Sequence, residues 1–401
     1  MVRLILFLLV LLTALGTWEM ARHARHRRRI GLRIHVNGSR GKSSVARLIA
    51  AGLRAGGLAV VAKTTGSAAA VINTDGSESP IARRGGPNIK EQLAVFRTAA
   101  AQSCDALVLE CMAVRPDLQR ACEHGIVHAT HGVITNVRPD HLEVMGPTLD
   151  DVAASLAGTV PRHARLYTAE DRYTGYLAAR ARRAGSSCTA VGPENVGAAD
   201  MADFTYDEFA ENVALALAVC EDVGVDRATA LAGMRGVTPD VGALTRRACP
   251  HPDGGTVEFI NGFAANDNES YRRVWRRLGL DAAPDEVVVL VNTRADRRRR
   301  SQDLAPLFGR ELRPGHQIVI GDDAPLYARL VRGAGAPATA VTDAHDLDAP
   351  ALWQAVLRLA RPGARVIGVG NIAGIGHQLL AHLAQEAPQS TPARPHGEAR
   401  A

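Results

Sequence analysis

The segment that most limits how this chain can fold is Leu32–Leu53, LRIHVNGSRGKSSVARLIAAGL. Apolar residues at 32, 34 and 36 alternate as in a short buried strand, and Val45, Leu48, Ile49 and Leu53 recur at helical spacing. Between them lie Gly38, Ser39, Arg40, Gly41, Lys42, Ser43 and Ser44. A strand that turns through glycines into a helix aims backbone N–H groups and the positive end of the helix dipole at an anion. A lysine there reaches outer phosphates, and a hydroxyl ligates Mg²⁺. The loop reads G-x-x-G-K-S-S, shorter than G-x-x-x-x-G-K-[ST], because Val36 stands at the first glycine position. An ordinary turn before a helix does not account for both glycines, the lysine and the serines in order.

Lysine usage supports that reading. Only three of the 47 basic residues are lysine, at Lys42, Lys63 and Lys90. An ammonium is a compact point charge that a guanidinium does not replace at a phosphate. Lys63, in AKTTGS after the next apolar run, is expected to share the site.

At 401 residues the chain has room for two or three domains. The six cysteines show no C-x-x-C spacing and read as reduced thiols of a cytoplasmic body. The formal charge is +6, but residues 1–30 carry six arginines against Glu19. The rest holds 41 basic and 40 acidic residues, which excludes a general nucleic-acid surface. Leu4–Trp18, LILFLLVLLTALGTW, is an apolar run followed by ARHARHRRR. Charge after the run rather than before it argues against a cleaved signal, and the positive-inside bias puts everything beyond it in the cytoplasm. The expectation is a spanning or anchoring helix over 1–21 and a basic linker over 22–31; the alternative is a helix lying on the membrane or against a partner.

Strand-like runs then alternate with helical segments, which predicts a parallel α/β sheet with ligands beyond the carboxyl ends of its strands. The polar residues at those ends are the candidates. Glu110 closes ALVLE, either as a strand-end ion pair or as a hard oxygen ligand for Mg²⁺. His141 follows another strand in TNVRPDHLEVMG, either structural or a ligand. A second α/β unit opens near residue 246 with a hairpin or loop and contains DEVVVLVNTRADRRRR and ARVIGVGNIAGIG. The last glycine cluster lacks the acidic residue that completes a dinucleotide fingerprint. Expected boundaries are 32–245 for the nucleotide domain, 246–384 for a smaller Rossmann-like α/β domain, and a disordered tail over 385–401.

In order, NGSRGKSS, KTTGS, LVLECM and ITNVRPDHLEVMG resemble the ATP-binding domain of the Mur ligase superfamily. ENVALALA resembles its adenine-side motif, which makes Asn212 a nucleotide contact, and NGFAAND resembles the segment entering the C-terminal domain. Asn261 and Ala265 depart from the Asp and His frequent there. Within the superfamily, the apolar N-terminus, NGFAANDNES, NTRADR and GVGNIAGIG resemble poly-γ-glutamate synthase catalytic subunits of the CapB and PgsB type, over roughly 1–380. No lysine follows Lys90, so the carbamylated lysine that often holds a second Mg²⁺ in the superfamily has no counterpart; Glu143 or another acid would substitute.

The resemblance implies an ATP-dependent carboxylate–amine ligase. ATP phosphorylates a carboxylate and a glutamate amine displaces the phosphate, lengthening a polyglutamate chain. Lys42 would hold the β- and γ-phosphates. Mg²⁺ would be held by Glu110 and His141 with Thr65 or Ser43, and Arg294 and Asp296 would face the nucleotide from the second domain. Arg297–Arg300 would hold the anionic polymer or form a solvated charged face. Integral-membrane synthase and export subunits are the expected partners, at the cell membrane. The rivals are a folylpolyglutamate-synthase-like ligase and a membrane-tethered P-loop ATPase that powers export.

Overall fold

The computed structural model describes residues 2–386 except 67, 68, 84, 85, 264 and 266. Ala264 and Asn266 of the NGFAAND segment, and residues 387–401 of the expected tail, therefore lie outside the described residues. Gln385 and Glu386 close the helix Ile375–Glu386.

Helix α1 spans Val2–Arg28. It is long and apolar enough to cross a membrane, with a mean hydropathy of 2.1 over its most apolar window. The hydroxyls of Thr13 and Thr17 donate back to the carbonyls of Leu9 and Thr13, so neither is left unpaired along the apolar face. The expected basic linker over 22–31 is corrected: the helix runs on through Arg28. Nothing between Ala21 and Arg28 breaks a helix, and cations in the last turn complement its dipole. His23 fixes that end to the body, with Nε2 2.8 Å from the Ile126 carbonyl and its ring edge-on to Phe96 at 4.9 Å.

The first contact unit comprises residues up to 202 together with 209–240. Its sheet has eight strands: β1 (Leu32–Asn37), β2 (Val60–Thr64), β3 (Ala70–Ile72), β4 (Glu78–Pro80), β5 (Ala106–Glu110), β6 (His131–Ile134), β7 (Arg165–Thr168) and β8 (Ser187–Ala190), in the order β4-β3-β2-β5-β1-β6-β7-β8. Neighbours from β2 to β8 pair in parallel, and β3 and β4 add an antiparallel edge. Central β5 is buried along its whole length and reads as an unbroken apolar run up to Glu110. Helices α2 (Lys42–Ala55) and α3 (Glu91–Ala101) cover opposite faces. On the α3 face, Val61, Leu107 and Leu109 pack with Val95 and Phe96.

The second unit comprises 203–208 and 241 onward, so the contacts divide at Asp240 rather than at the expected 245. The segment 203–208 belongs there because Asp207 binds Arg246 at 2.7 Å. Its sheet contains β9 (Thr245–Pro250), β10 (Thr256–Asn261), β11 (Val287–Thr293), β12 (His316–Gly321), β13 (Val341–Asp343) and β14 (Arg365–Gly370), ordered β13-β12-β11-β14-β10-β9. All pairs are parallel except the β9–β10 hairpin. Trp353 anchors one face, edge-on to Phe259 at 5.9 Å among aliphatic residues.

Candidate nucleotide site at the end of strand β1

Gly41 caps α2 in the left-handed region at φ 79°, and no side chain caps the helix. The first backbone N–H groups of α2 therefore have no intrahelical acceptor and open onto the loop. Glycine is required twice here. A Cβ at Gly38 (φ 132°) would overlap the Thr135 hydroxyl, and one at Gly41 would lie 2.5 Å from Asn212 Oδ1. Asn212, in the first turn of the helix Ala210–Asp222, is thus seated on the loop.

The segment after β6 fixes the loop from the other side. Ser39 N–H donates to the Asn136 carbonyl and Arg40 N–H to Asn136 Oδ1, both at 3.0 Å. The Thr135 hydroxyl donates to the Arg40 carbonyl at 2.6 Å, and the Ser39 hydroxyl donates to the Arg138 carbonyl at 3.0 Å. Arg40 pairs with Asp140 at 2.9 Å. Burial would raise the Asp140 carboxyl, but Arg40, Lys42 and His141 outweigh it and hold it below the usual range. Lys42 Nζ donates to the carbonyls of Gly38 at 2.7 Å and Ser39 at 3.2 Å, so the ammonium lies over the loop.

Glu110 joins this loop to the end of β2. Its Oε2 accepts from the Ser43 hydroxyl at 2.8 Å and from Thr65 N–H at 2.6 Å. The carboxylate is 2 % exposed. Burial raises its pKa, and Lys42, Thr65 and Ser43 offset only part of that rise. Asp240, which the sequence did not flag, is also close: a Cβ at Gly66 would lie 2.5 Å from Ser43 Oγ and 3.2 Å from Asp240 Oδ2.

The donors Ser43, Glu110 and Asp240 are all hard oxygens, which suits Mg²⁺ or Mn²⁺ rather than a softer metal. Buried Thr64 Oγ1 and Gln92 Oε1 have no hydrogen-bond partner. Thr64 adjoins Thr65, and the Gln92 amide donates to the Glu110 carbonyl at 3.3 Å. Among the described residues no cluster of three or more His, Cys, Asp or Glu side chains forms. A nucleotide-bound Mg²⁺ usually takes only one or two carboxylates and completes its shell with hydroxyls, water and phosphate oxygens, and the donors here would suit that mode.

His141 sits in the left-handed region at φ 45° before a short helix; its Nδ1 pairs with Glu143 at 3.2 Å, and its Nε2 lies 3.9 Å from Asp140. Lys63 does not share the site. It lies opposite Leu109, one residue short of Glu110, and successive side chains of a strand face opposite sides of the sheet. Its ammonium is buried on the α3 side, 3.2 Å from Glu91 and from Met112 Sδ.

In the second unit, Arg294 and Asp296 form a bidentate pair at 2.9 and 2.8 Å just beyond β11, with Arg294 half-buried and Asp296 exposed. Arg298 pairs with Asp323 at 3.3 Å, and Arg300 donates to Asn371 Oδ1 at 2.7 Å. The glycine-rich run after β14 packs against the end of β11. Asn292 Nδ2 donates to the carbonyls of Asn371 and Ala373 at 2.6 and 2.9 Å, and a side chain at Gly370 (φ 92°) would overlap the Asn292 carbonyl. Asn261 donates to the carbonyls of Val241 and Ala243, while its buried Oδ1 has no hydrogen-bond partner.

Residues 36–238 match the Mur ligase middle domain, and residues 248–386 match the poly-gamma-glutamate synthase CapB C-terminal domain. The chain is 35% identical over 399 residues to the capsule biosynthesis protein CapB of Bacillus anthracis, covering 94% of this chain and 82% of that one. It is 34% identical over 382 residues to the PGA synthase CapB of Bacillus subtilis (strain 168), covering 94% and 96%. Its fold is similar to that of a bifunctional folylpolyglutamate synthase/dihydrofolate synthase solved with Mn, AMPPNP and L-glutamate bound, at TM-score 0.67 and 15% identity over 90% of this chain and 92% of that one. With its two halves matched in order and 82% and 96% of the two relatives covered, the chain belongs to the CapB family of poly-γ-glutamate synthases, ligases built on a Mur-ligase nucleotide domain.

Proposed function

We propose that this protein uses ATP to add glutamate to a growing poly-γ-glutamate chain, at a membrane to which α1 anchors it. The observation that carries the reading is the uncapped start of α2 at Gly41, with Lys42 over the loop and Ser43 bonded to a buried Glu110. This is a phosphate cradle with a hard-cation position beside it.

Lys42 binds the β- and γ-phosphates, and the N–H groups of the loop from Gly38 to Ser44 orient them. Asn212 packs on the loop at the adenosine side. Ser43 and Glu110, with Thr65, His141 and Asp240 as further candidates, would hold Mg²⁺, which would supply neutralisation of phosphate charge. The terminal carboxylate of the acceptor attacks the γ-phosphorus, and ADP leaves. The free glutamate amine then attacks the carbonyl carbon of the acyl phosphate, loses a proton, and expels inorganic phosphate through a tetrahedral intermediate. Positioning and charge neutralisation supply most of the acceleration in such transfers. Arg294 and Asp296 serve the nucleotide from the second unit, and the arginines at 297–300 serve the polyanion. Integral-membrane subunits carry the product onward.

The test is ADP release by the full-length protein in membranes, with Mg²⁺, with and without glutamate, beside Lys42→Ala. Release that requires both glutamate and Lys42, with polymer appearing, supports the ligase. Release indifferent to glutamate would replace it with a transport ATPase.

A further inference from the structure

The sheet edge opposite the nucleotide loop is unusually cationic. Arg33, His131, Arg165 and Ser187 stand at the starts of β1, β6, β7 and β8, and line an open cleft of about 640 Å³. His124, His128, Arg162 and His163 add to its walls. A hollow of about 210 Å³ shares His124 and Arg162 and adds Arg120, Arg180 and Arg183. The acids nearby are already engaged. Glu123 is buried against His35 at 2.8 Å, and Asp222 pairs with His131 and Arg165. Among the described residues, Arg120, Arg162 and Arg180 form no ion pair. Burial, Arg27 and Arg33 hold the His128 imidazole below its usual range. For His124, burial lowers the value and Glu123 opposes it, while Arg162 and Arg120 add to the lowering. Asp222 answers His131 and Arg165, and Glu123 offsets part of the charge around His124 and His128, but among the described residues no acid pairs with Arg120, Arg162 or Arg180.

The basic end of α1 belongs to the same surface. Arg33 donates to the carbonyls of Ile30, at 2.7 Å, and Gly31, where α1 passes into β1. Arg22 lies over the Trp18 ring at 4.6 Å, at the boundary between the apolar and basic halves of the helix. From Ala21 to Arg28 is roughly 10 Å of helix, which holds this edge at headgroup depth beside the end of the apolar stretch. We propose that the cleft and the basic end of α1 form one surface that lies on the anionic phosphate headgroups of the membrane. This rests on the reading of α1 as a membrane anchor. The polyglutamate product is the other polyanion at hand, but its reacting end belongs at the far ends of the same strands, about 20 Å away for a six-residue strand.

The test compares amide exchange of the full-length protein in nanodiscs of zwitterionic lipid with discs containing phosphatidylglycerol. Exchange across residues 120–130, 162–165 and 180–185 is expected to slow roughly tenfold in the anionic discs, given the attraction of each arginine near such a surface. High salt is expected to remove the difference, as is the triple variant Arg120→Glu, Arg162→Glu, Arg180→Glu, none of which touches the nucleotide loop. Equal exchange of the wild-type protein in both discs would overturn the proposal without depending on any variant. Protection induced by added polyglutamate in zwitterionic discs, with none from anionic lipid, would overturn it in favour of the polymer. Retention of the protein in zwitterionic discs after an alkaline wash reports the anchor itself, so a failed anchor and a failed surface leave different records.

Discussion

Glu110 and Ser43 share a hydrogen bond of 2.8 Å that ties the end of β5 to the first turn of α2. The bond sets a carboxylate into a nearly dry position where burial pushes its pKa above the usual 4.5. The folded protein therefore holds that proton more tightly than the unfolded chain. The ionised carboxylate costs stability once the pH exceeds its usual range, and the cost disappears in acid.

Replacing Glu110 should separate stability from activity. Glu110→Gln keeps an oxygen for Ser43 and Thr65 but removes the buried charge. Its melting temperature should exceed that of the wild type near neutral pH, and the two should converge as the pH falls toward 4.5. Ligase activity should fall about 100-fold or more. Melting curves across pH beside ADP release test both parts, and a variant that melts lower at neutral pH would contradict the buried-charge account.

Lys42 should not tolerate arginine. Its ammonium contacts two loop carbonyls at 2.7 and 3.2 Å, a geometry suited to a point charge rather than a planar fork. Lys42→Arg and Lys42→Ala are both expected to lower glutamate-dependent ADP release about 100-fold or more, with unchanged circular dichroism. Near-normal turnover by Lys42→Arg would remove the special role given to the ammonium.

Gly41 and Asn212 should be energetically coupled. Gly41→Ala forces a side chain into φ 79° and toward Asn212 Oδ1, which should cost about 1–3 kcal/mol. Asn212→Ala relieves the overlap but not the backbone strain. The double variant should be less destabilised than the two single effects added together, as a chemical-denaturation cycle would show.

Beneath the loop, burial disfavours a charged His35, but bonds to Cys111 and Glu123 outweigh it and raise its pKa to about 10. That stability is fully present below about pH 6.5 and is lost as the pH rises through 10. His35→Gln should cost about 3–5 kcal/mol by leaving Glu123 without a cationic partner. It should also flatten the alkaline limb of the stability curve measured between pH 6.5 and 10.

Among the arginines after β11, position should decide the effect. Arg300 braces the Asn371 loop, so Arg300→Glu should lower the melting temperature. Arg299→Glu should leave folding unchanged and shorten the polymer, as gel electrophoresis would reveal. Unchanged polymer length would mark this run as a solvated face.

The loop was legible because its determinants are local: an alternating strand, two glycines, a lysine and a helix within 22 residues. Glu110 was legible because a carboxylate ending an apolar strand has few bland uses. Asp240 was not, since only the tertiary fold brings it beside Ser43. Lys63 misled because the chemistry suggested a site while the strand period, which turns it toward Glu91, decides which face it occupies. The strands β3, β4 and β13 run three residues each, too short to show a period. Strand β8, SCTA, is an exposed edge with little apolar content to announce it. The basic segment after Ala21 looked like a linker by charge alone, whereas helix propensity and the His23 contact continue α1 through it.

That continuity makes α1 a stiff lever. Because His23, near the end of the helix, pins it against Phe96 and Ile126, its tilt and the attitude of the first unit are coupled. With α1 spanning the membrane as proposed, any change in bilayer thickness that altered its tilt would turn the nucleotide loop with it. Lipid thickness would then act on this enzyme as a torque.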